Sequence, residues 1–183
     1  GTYETNVNGS INLITAIEKN SPDTKLMFCS TSEVYGNTGK LGSKLKETDQ
    51  ILPSNPYGNS KASIDLYLQE RFANKKVNGF ITRAFSHTGP RRGKTFSISS
   101  DAFQLARLLS YPKESMILNV GNLESIRNVM DVRDTVRAYY LLMMTDKSNG
   151  QIYNVCGNEL HKMEFFCNTL IELSGLESNS GLE

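Results

Sequence analysis

The stretch KLMFCSTSEVYG, residues 25–36, decides how the rest of the chain is read. Its first half is a short apolar run of strand character. Its second half places Ser30, Thr31, Ser32, Glu33 and Tyr35 where that strand stops. Such a cluster is either a polar loop that turns the chain or the rim of an active site, and the neighbouring segments decide between them. Upstream, Val7, Ile11, Ile14 and Ile17 recur at spacings of four and three, one face of a helix. NSPD (20–23) breaks that helix. Downstream, GNTGKLGSKLKETDQILPSNP (36–56) is a polar loop of about twenty residues, a length that is usually functional or mobile in a compact domain. A second amphipathic helix carries Ile64, Leu68 and Phe72 between Tyr57 and Lys75. VNGFITRAF (77–85) reads as a strand, HTGPRRG (87–93) as a turn, Ser97–Leu109 as a helix and MILNVG (116–121) as a strand. MDVRDTVRAYYLLM (130–143) reads as a helix, QIYNV (151–155) as a strand, and His161–Ser174 as a last helix. Strands alternating with helices of this length imply parallel βαβ units covered on both faces. Ligands of such sheets collect beyond the carboxyl ends of the strands, which is where Thr31–Glu33 falls. The active-site reading gains ground.

Composition narrows the function. The chain of 183 residues is 38% hydrophobic, enough for a domain with its own core. Apolar runs such as Tyr139–Met144 are far shorter than the roughly 20 residues of a membrane span, and GTYETNVNGS lacks the basic start and apolar stretch of a signal peptide. Twenty basic and nineteen acidic residues give no general nucleic-acid surface, although a local phosphate pocket is compatible with them. Cys29, Cys156 and Cys167 are isolated thiols without CxxC spacing. They predict buried free cysteines in a reducing, cytoplasmic setting and no disulfide or metal framework.

Tyr57 and Lys61 stand four apart in SNPYGNSKAS (54–63). On a helix starting near Pro56 they share a face, about one turn apart, on the stripe of Ile64 and Leu68, which predicts that the face points inward. A phenol, with its ordinary pKa near 10, is a poor base at neutral pH. A nearby ammonium favours the phenolate and suits it to proton exchange with a sugar hydroxyl. The pair alone is a weak signal. A Ser/Thr cluster after a strand, with Thr31 26 positions before Tyr57, strengthens it.

Five ordered motifs, NVNGSINLITAI, FCSTSEVYG, NPYGNSKAS, TRAFSHTGPRRG and VGNLESIRNVMDVRDTVRAYYLL, resemble the extended short-chain dehydrogenase/reductase family of nucleotide-sugar epimerases, dehydratases and reductases. STSE, HTGPRRG and GNLESIR are most similar to the GDP-mannose 4,6-dehydratases and the related GDP-4-keto-6-deoxymannose reductases. The resemblance implies an α/β, Rossmann-type parallel sheet. Residues 1–95 would form the C-terminal half of the NAD(P)-binding domain, with the catalytic motifs. Residues 96–183 would form the rest of the sheet and part of the nucleotide-sugar-binding region. It implies that Thr31 hydrogen-bonds the reacting sugar hydroxyl, that Tyr57 is its base, and that Lys61 assists Tyr57 and holds the nicotinamide ribose. Glu33 would remove the carbon-5 proton and help the carbon-6 hydroxyl leave, a carboxylate that dehydratases need and simple epimerases do not. Ser32 stands where dehydratases of dTDP-sugars carry an aspartate acid, which argues against that substrate class. His87 and Arg92 match NADP contacts, with NAD as the alternative cofactor, and Asn6 matches a cofactor-proximal asparagine. Arg127 matches an arginine on the nucleotide diphosphate. Ser86 replaces an asparagine that usually helps hold that group.

No Gly-rich dinucleotide turn occurs in the chain: Gly36, Gly39 and Gly42 lie in the polar loop, with no helix pattern after them. The expectation is an interior fragment of an enzyme that converts GDP-mannose to GDP-4-keto-6-deoxymannose with bound NADP, acting as a homo-oligomer on a soluble nucleotide sugar. The alternatives are the 4-keto reductase or another nucleotide-sugar epimerase, and a catalytically inert module that dimerises through the helices near 3–19 and 57–75.

Overall fold

A computed structural model describes residues 1–41, 44–111 and 117–176. The chain divides into two compact units, Gly1–Phe85 with Asp134–Cys156, and Ser86–Arg133 with Gly157–Glu183. The first unit is built on a parallel sheet of β1 (Lys25–Thr31), β2 (Asn78–Ala84) and β6 (Ile152–Val155), in the order β1-β2-β6. The register aligns Thr31 with Ala84, and Ala84 with Val155, so three strand ends share one edge. β2 is central and buried from Gly79 to Ala84, which is why its sequence is not an apolar/polar alternation. Gly79 is required there: its φ is +149°, and a Cβ would lie 2.0 Å from the Leu26 carbonyl oxygen.

Helices α1 (Gly9–Asn20) and α2 (Pro56–Ala73) supply the core of this unit. Ile14, Ile64, Leu68, Val77 and Ile81 form it, with Val7, Ile11, Leu26, Phe28 and Phe72 packed around them. Truncating Leu68, fully buried, to alanine would cost about 2–5 kcal/mol. A π-helical turn, Glu4–Asn8, leads into α1. Helix α4 (Val132–Met143) ends on a basic cap: Lys25 Nζ donates to the carbonyls of Leu142, Met143 and Thr145 at 3.2, 3.0 and 2.5 Å.

The second unit pairs β3 (Ser86–Thr88) with β5 (Val129–Asp131) in parallel, and β4 (Ile126–Arg127) with β7 (His161–Lys162) antiparallel. Helices α3 (Ser97–Ser110) and α5 (Met163–Ser174) pack together in it.

Several sequence-based boundaries are corrected. HTGPRRG begins as strand, because His87 and Thr88 pair with Met130 and Asp131. The same pairing delays the helix expected from Met130 to Val132. His161 and Lys162 belong to β7, so the last helix starts at Met163. Residues 117–120 are not a strand, and Met116 lies outside the described residues. The backbone there is satisfied by a side chain instead: Gln104 accepts from Asn119 N at 3.0 Å and donates to Asn119 O at 2.9 Å. The polar excursion after Gly36 contains a 3-10 turn at Thr38–Leu41 and is tied down. Leu45 and Ile51 pack on Val34, Tyr35 and Ala62, and Glu47 bonds Arg83 and Asn154. Gly42 lies outside the described residues. The three cysteines are free, but only Cys167 is buried; Cys29 and Cys156 are exposed. Among the described residues no helix is long and apolar enough to cross a membrane.

Candidate active site

At the carboxyl end of β1 the chain turns through a short 3-10 helix, Ser32–Val34, started by Thr31, whose Oγ1 accepts from Glu33 N at 3.3 Å. Thr31 is only 8% exposed, whereas Glu33 reaches solvent. Helix α2 begins beside this turn for reasons written in NPYG. Asn55 caps it, accepting from Gly58 N at 2.7 Å, and Pro56 sits at the first position, where a missing N–H costs nothing. The other end of the same amide donates to Glu33 Oε2 at 2.8 Å. Gly58 permits the approach: a Cβ there would lie 2.7 Å from the Glu33 carbonyl oxygen. The strand end carrying Thr31 and Glu33 and the first turn carrying Tyr57 are therefore held against one another.

Tyr57 does not point inward, as the stripe suggested. It is 45% exposed, while Ile64 and Leu68 on the same stripe are fully buried. The reason is position along the axis: the first turn of α2 stands at the sheet edge, and the buried residues lie two and three turns further over the core. Lys61 bridges the two environments. Its Nζ donates to the Cys29 carbonyl at 2.9 Å and lies 5.1 Å from the Phe28 ring centroid. Burial pulls its pKa down, an effect opposed by the nearby Cys29 thiol. Asn6 reaches the same helix, donating to Ser60 Oγ at 3.0 Å.

Behind the rim lies a buried polar network that pattern reading missed. Asp65 and Arg83, 0% and 1% exposed, form a bidentate pair at 2.8 and 3.0 Å. Asp65 also accepts from Ser30 Oγ at 2.7 Å and from Gln69 Nε2 at 2.8 Å. Arg83 Nη1 donates to Tyr35 OH and to the Glu47 carbonyl, both at 2.9 Å, and Tyr35 OH donates to Asn154 Oδ1 at 2.7 Å. Ser30 precedes Thr31, and Tyr35 closes the 3-10 turn, so the network brackets the rim on both sides.

In the second unit Ser86, His87, Arg92 and Arg127 all line one cavity of about 240 Å³, together with Asp101, Asn122 and others. Arg91, in the turn before Arg92, has φ +71°, a left-handed conformation uncommon for a residue with a side chain. Arg92 lies on Phe96, its guanidinium carbon 3.6 Å from the ring centroid. Its buried Nε finds no hydrogen-bond partner. Arg127 is exposed and donates to the Ile126 carbonyl. The acid three residues earlier, Glu124, pairs with Lys162 instead, at 2.6 Å. The cavity therefore holds two guanidinium groups with unspent donors, an arrangement suited to an anion. Among the described residues no cluster of three or more His, Cys, Asp or Glu could hold a metal ion.

A model of the GDP-mannose 4,6 dehydratase family matches residues 1–180. The chain belongs to this family. Among relatives of the family fold, the GDP-6-deoxy-D-mannose reductase of Pseudomonas aeruginosa is 27% identical over 176 residues, 96% of this chain and 57% of that protein. The GDP-mannose 4,6 dehydratase of Cricetulus griseus is 28% identical over 163 residues, 86% of this chain and 41% of that protein. The structure of RMD from Pseudomonas aeruginosa complexed with NADPH superposes with a TM-score of 0.87 at 26% identity, covering 96% of this chain and 58% of that one. That of dTDP-glucose 4,6-dehydratase from Bacillus anthracis in complex with NAD gives 0.81 at 28% identity, covering 94% and 53%. The sheet is thus of Rossmann type, and the chain spans about half the length of the relatives it matches.

The sequence-predicted residues fall into two groups. Asn6, Thr31, Ser32, Glu33, Tyr57 and Lys61 belong to the first unit, and Ser86, His87, Arg92 and Arg127 to the second. Asn55, Gly58, Asp65, Arg83 and Asp101 were not foreseen. Asn55-Pro56 was legible as a cap followed by a first-turn proline. Nothing local marks Asp65 as the partner of Arg83, 18 residues away.

Proposed function

We propose that the protein carrying this chain is a GDP-mannose 4,6-dehydratase. The observation that carries the reading is one sheet edge bearing Thr31 and Glu33 on a 3-10 turn, with Tyr57 and Lys61 on the helix capped against it. Thr31 and Tyr57 hydrogen-bond the carbon-4 hydroxyl, and Tyr57 takes its proton as that carbon is oxidised to a ketone. Lys61, half-buried and tied to the β1 backbone, assists Tyr57 from one turn further along the same helix. The ketone acidifies carbon 5, whose proton Glu33 removes and then delivers to the departing carbon-6 hydroxyl. Asn55 holds that carboxylate in place.

The residues present suit the nicotinamide-ribose end of a cofactor, with Tyr57, Lys61 and Asn6 beside it. NADP, with NAD as the alternative, is the cofactor expected from the family resemblance, with His87 and Arg92 as its proposed contacts. A bound nicotinamide would supply the hydride chemistry of the reaction at carbon 4. Arg127, without a carboxylate partner among the described residues, takes the substrate diphosphate beside Ser86, and Ser32 contacts the sugar. A cytoplasmic setting and a homo-oligomer are expected.

A second reading, the 4-keto reductase, is favoured by the match of 96% of this chain to a GDP-6-deoxy-D-mannose reductase. Glu33→Gln in the full-length protein separates the two. A dehydratase loses elimination by roughly 10²–10⁴-fold, the usual range for a general acid–base group. Ketone reduction that survives the substitution, with no dehydratase activity in the unmodified enzyme, would establish the reductase.

A further inference from the structure

Asp101 lies one turn into α3 and is 4% exposed, on the wall of the second unit's cavity. Among the described residues no donor reaches its carboxyl, and burial alone pushes its pKa up. Its titratable neighbour across the helix pair is Cys167 on α5, and His87, Arg92 and Arg127 share the cavity. A carboxylate with no described partner on the wall of a cavity calls for an explanation beyond packing. Here it shares a cavity with Arg127, which spends one donor on the Ile126 carbonyl. Among the described residues the cavity thus offers an acceptor with no donor on it beside a guanidinium with donors to spare. Its complement is a ligand with an anionic end and a pair of donors.

Resting on the nucleotide-sugar reading above, we propose that Asp101 recognises the nucleoside half of the substrate by accepting two hydrogen bonds from adjacent donors on it. Two parts of a guanosine diphosphate carry such a pair: the guanine edge, with N1–H next to the 2-amino group, and the ribose 2′,3′-diol. Uracil and thymine present one N–H between two carbonyl oxygens, and an ionised carboxylate repels both. A base-reading Asp101 would therefore select guanine, and a ribose-reading one would not select among bases. Gln104, on the same face one turn later, fixes the Asn119 backbone and so the approach to Gly121 and Asn122 in the cavity wall.

The test is calorimetric titration of the full-length protein and its Asp101→Asn variant with GDP, IDP, 2′-deoxy-GDP and inorganic pyrophosphate. The substitution is expected to weaken GDP roughly 10- to 100-fold, the loss for hydrogen bonds to a charged group, and to leave pyrophosphate unchanged. In the unmodified protein, weak IDP binding assigns the donors to the base, and weak 2′-deoxy-GDP binding assigns them to the ribose. Asp101→Ser serves the same comparison if the amide disturbs packing. Equal GDP affinity in variant and wild type, an equal loss of GDP and pyrophosphate, or IDP and 2′-deoxy-GDP both binding like GDP would overturn the assignment while leaving the proposed function standing. No binding of GDP or pyrophosphate by the unmodified protein would sink both.

Discussion

Two buried aspartates of this chain have opposite surroundings. Asp65, on α2, is fully buried and satisfied by Ser30, Gln69 and a bidentate Arg83. Asp101, on α3, is nearly as buried and has no partner among the described residues. A saturated network specifies and stiffens the structure around it, whereas an unsatisfied one lowers stability until something binds. The difference separates a scaffold, the buried network behind Thr31 and Glu33, from a receptor, the cavity of the second unit.

Removing one partner of the saturated pair should have the largest effect. Asp65→Ala leaves the Arg83 charge buried and unpaired, and should cost about 3–5 kcal/mol in urea denaturation. The double substitution Asp65→Leu with Arg83→Met should recover most of that loss. If the single variant were nearly neutral, the scaffold side of the comparison would fail.

Asp101→Asn should move the other way, raising the stability of the ligand-free protein by about 1–3 kcal/mol near neutral pH. The sign follows from burial. Its folded pKa is raised, so the folded state binds the proton more tightly than the unfolded chain. The wild-type penalty is therefore present above the raised pKa and fades as pH falls toward the ordinary carboxyl value of 3.8. Denaturation across that window should show the advantage of Asn closing at acid pH. Loss of stability in the variant would mean that Asp101 has a structural partner.

Asn55→Ala is the smallest of the three, about 1 kcal/mol from loss of the α2 cap. It also frees the Glu33 carboxylate. If elimination falls while the carbon-4 oxidation half-reaction persists, Asn55 positions a catalytic carboxylate. If both fall together, Glu33 serves mainly to anchor the cap.

Much of this was legible without coordinates because local signals carried it. KLMFCST followed by SEV is a strand that stops at a polar turn, and NPYGNSK contains its own cap, first-turn proline and helix face. The errors share a physical origin. Tyr57 was placed inward because periodicity records the face of a helix and not how far along the axis the core extends. Residues 117–120 look like a strand, but at Asn119 a glutamine from α3 takes the place of a strand partner. Cys29 and Cys156 are small and apolar enough to suggest burial, yet they lie at exposed positions of the first unit.

The order of strands and helices, the carboxyl-end location of Thr31 and Glu33, and the pairing of Tyr57 with Lys61 on one helix were thus determined by the sequence itself. All depend on interactions within a few residues, or on a periodicity the backbone imposes. Only the tertiary structure decided that Arg83 answers Asp65 while no described residue answers Asp101. Partnership between buried charges depends on which side chains the packing brings within 3 Å, a quantity that distance along the chain does not encode.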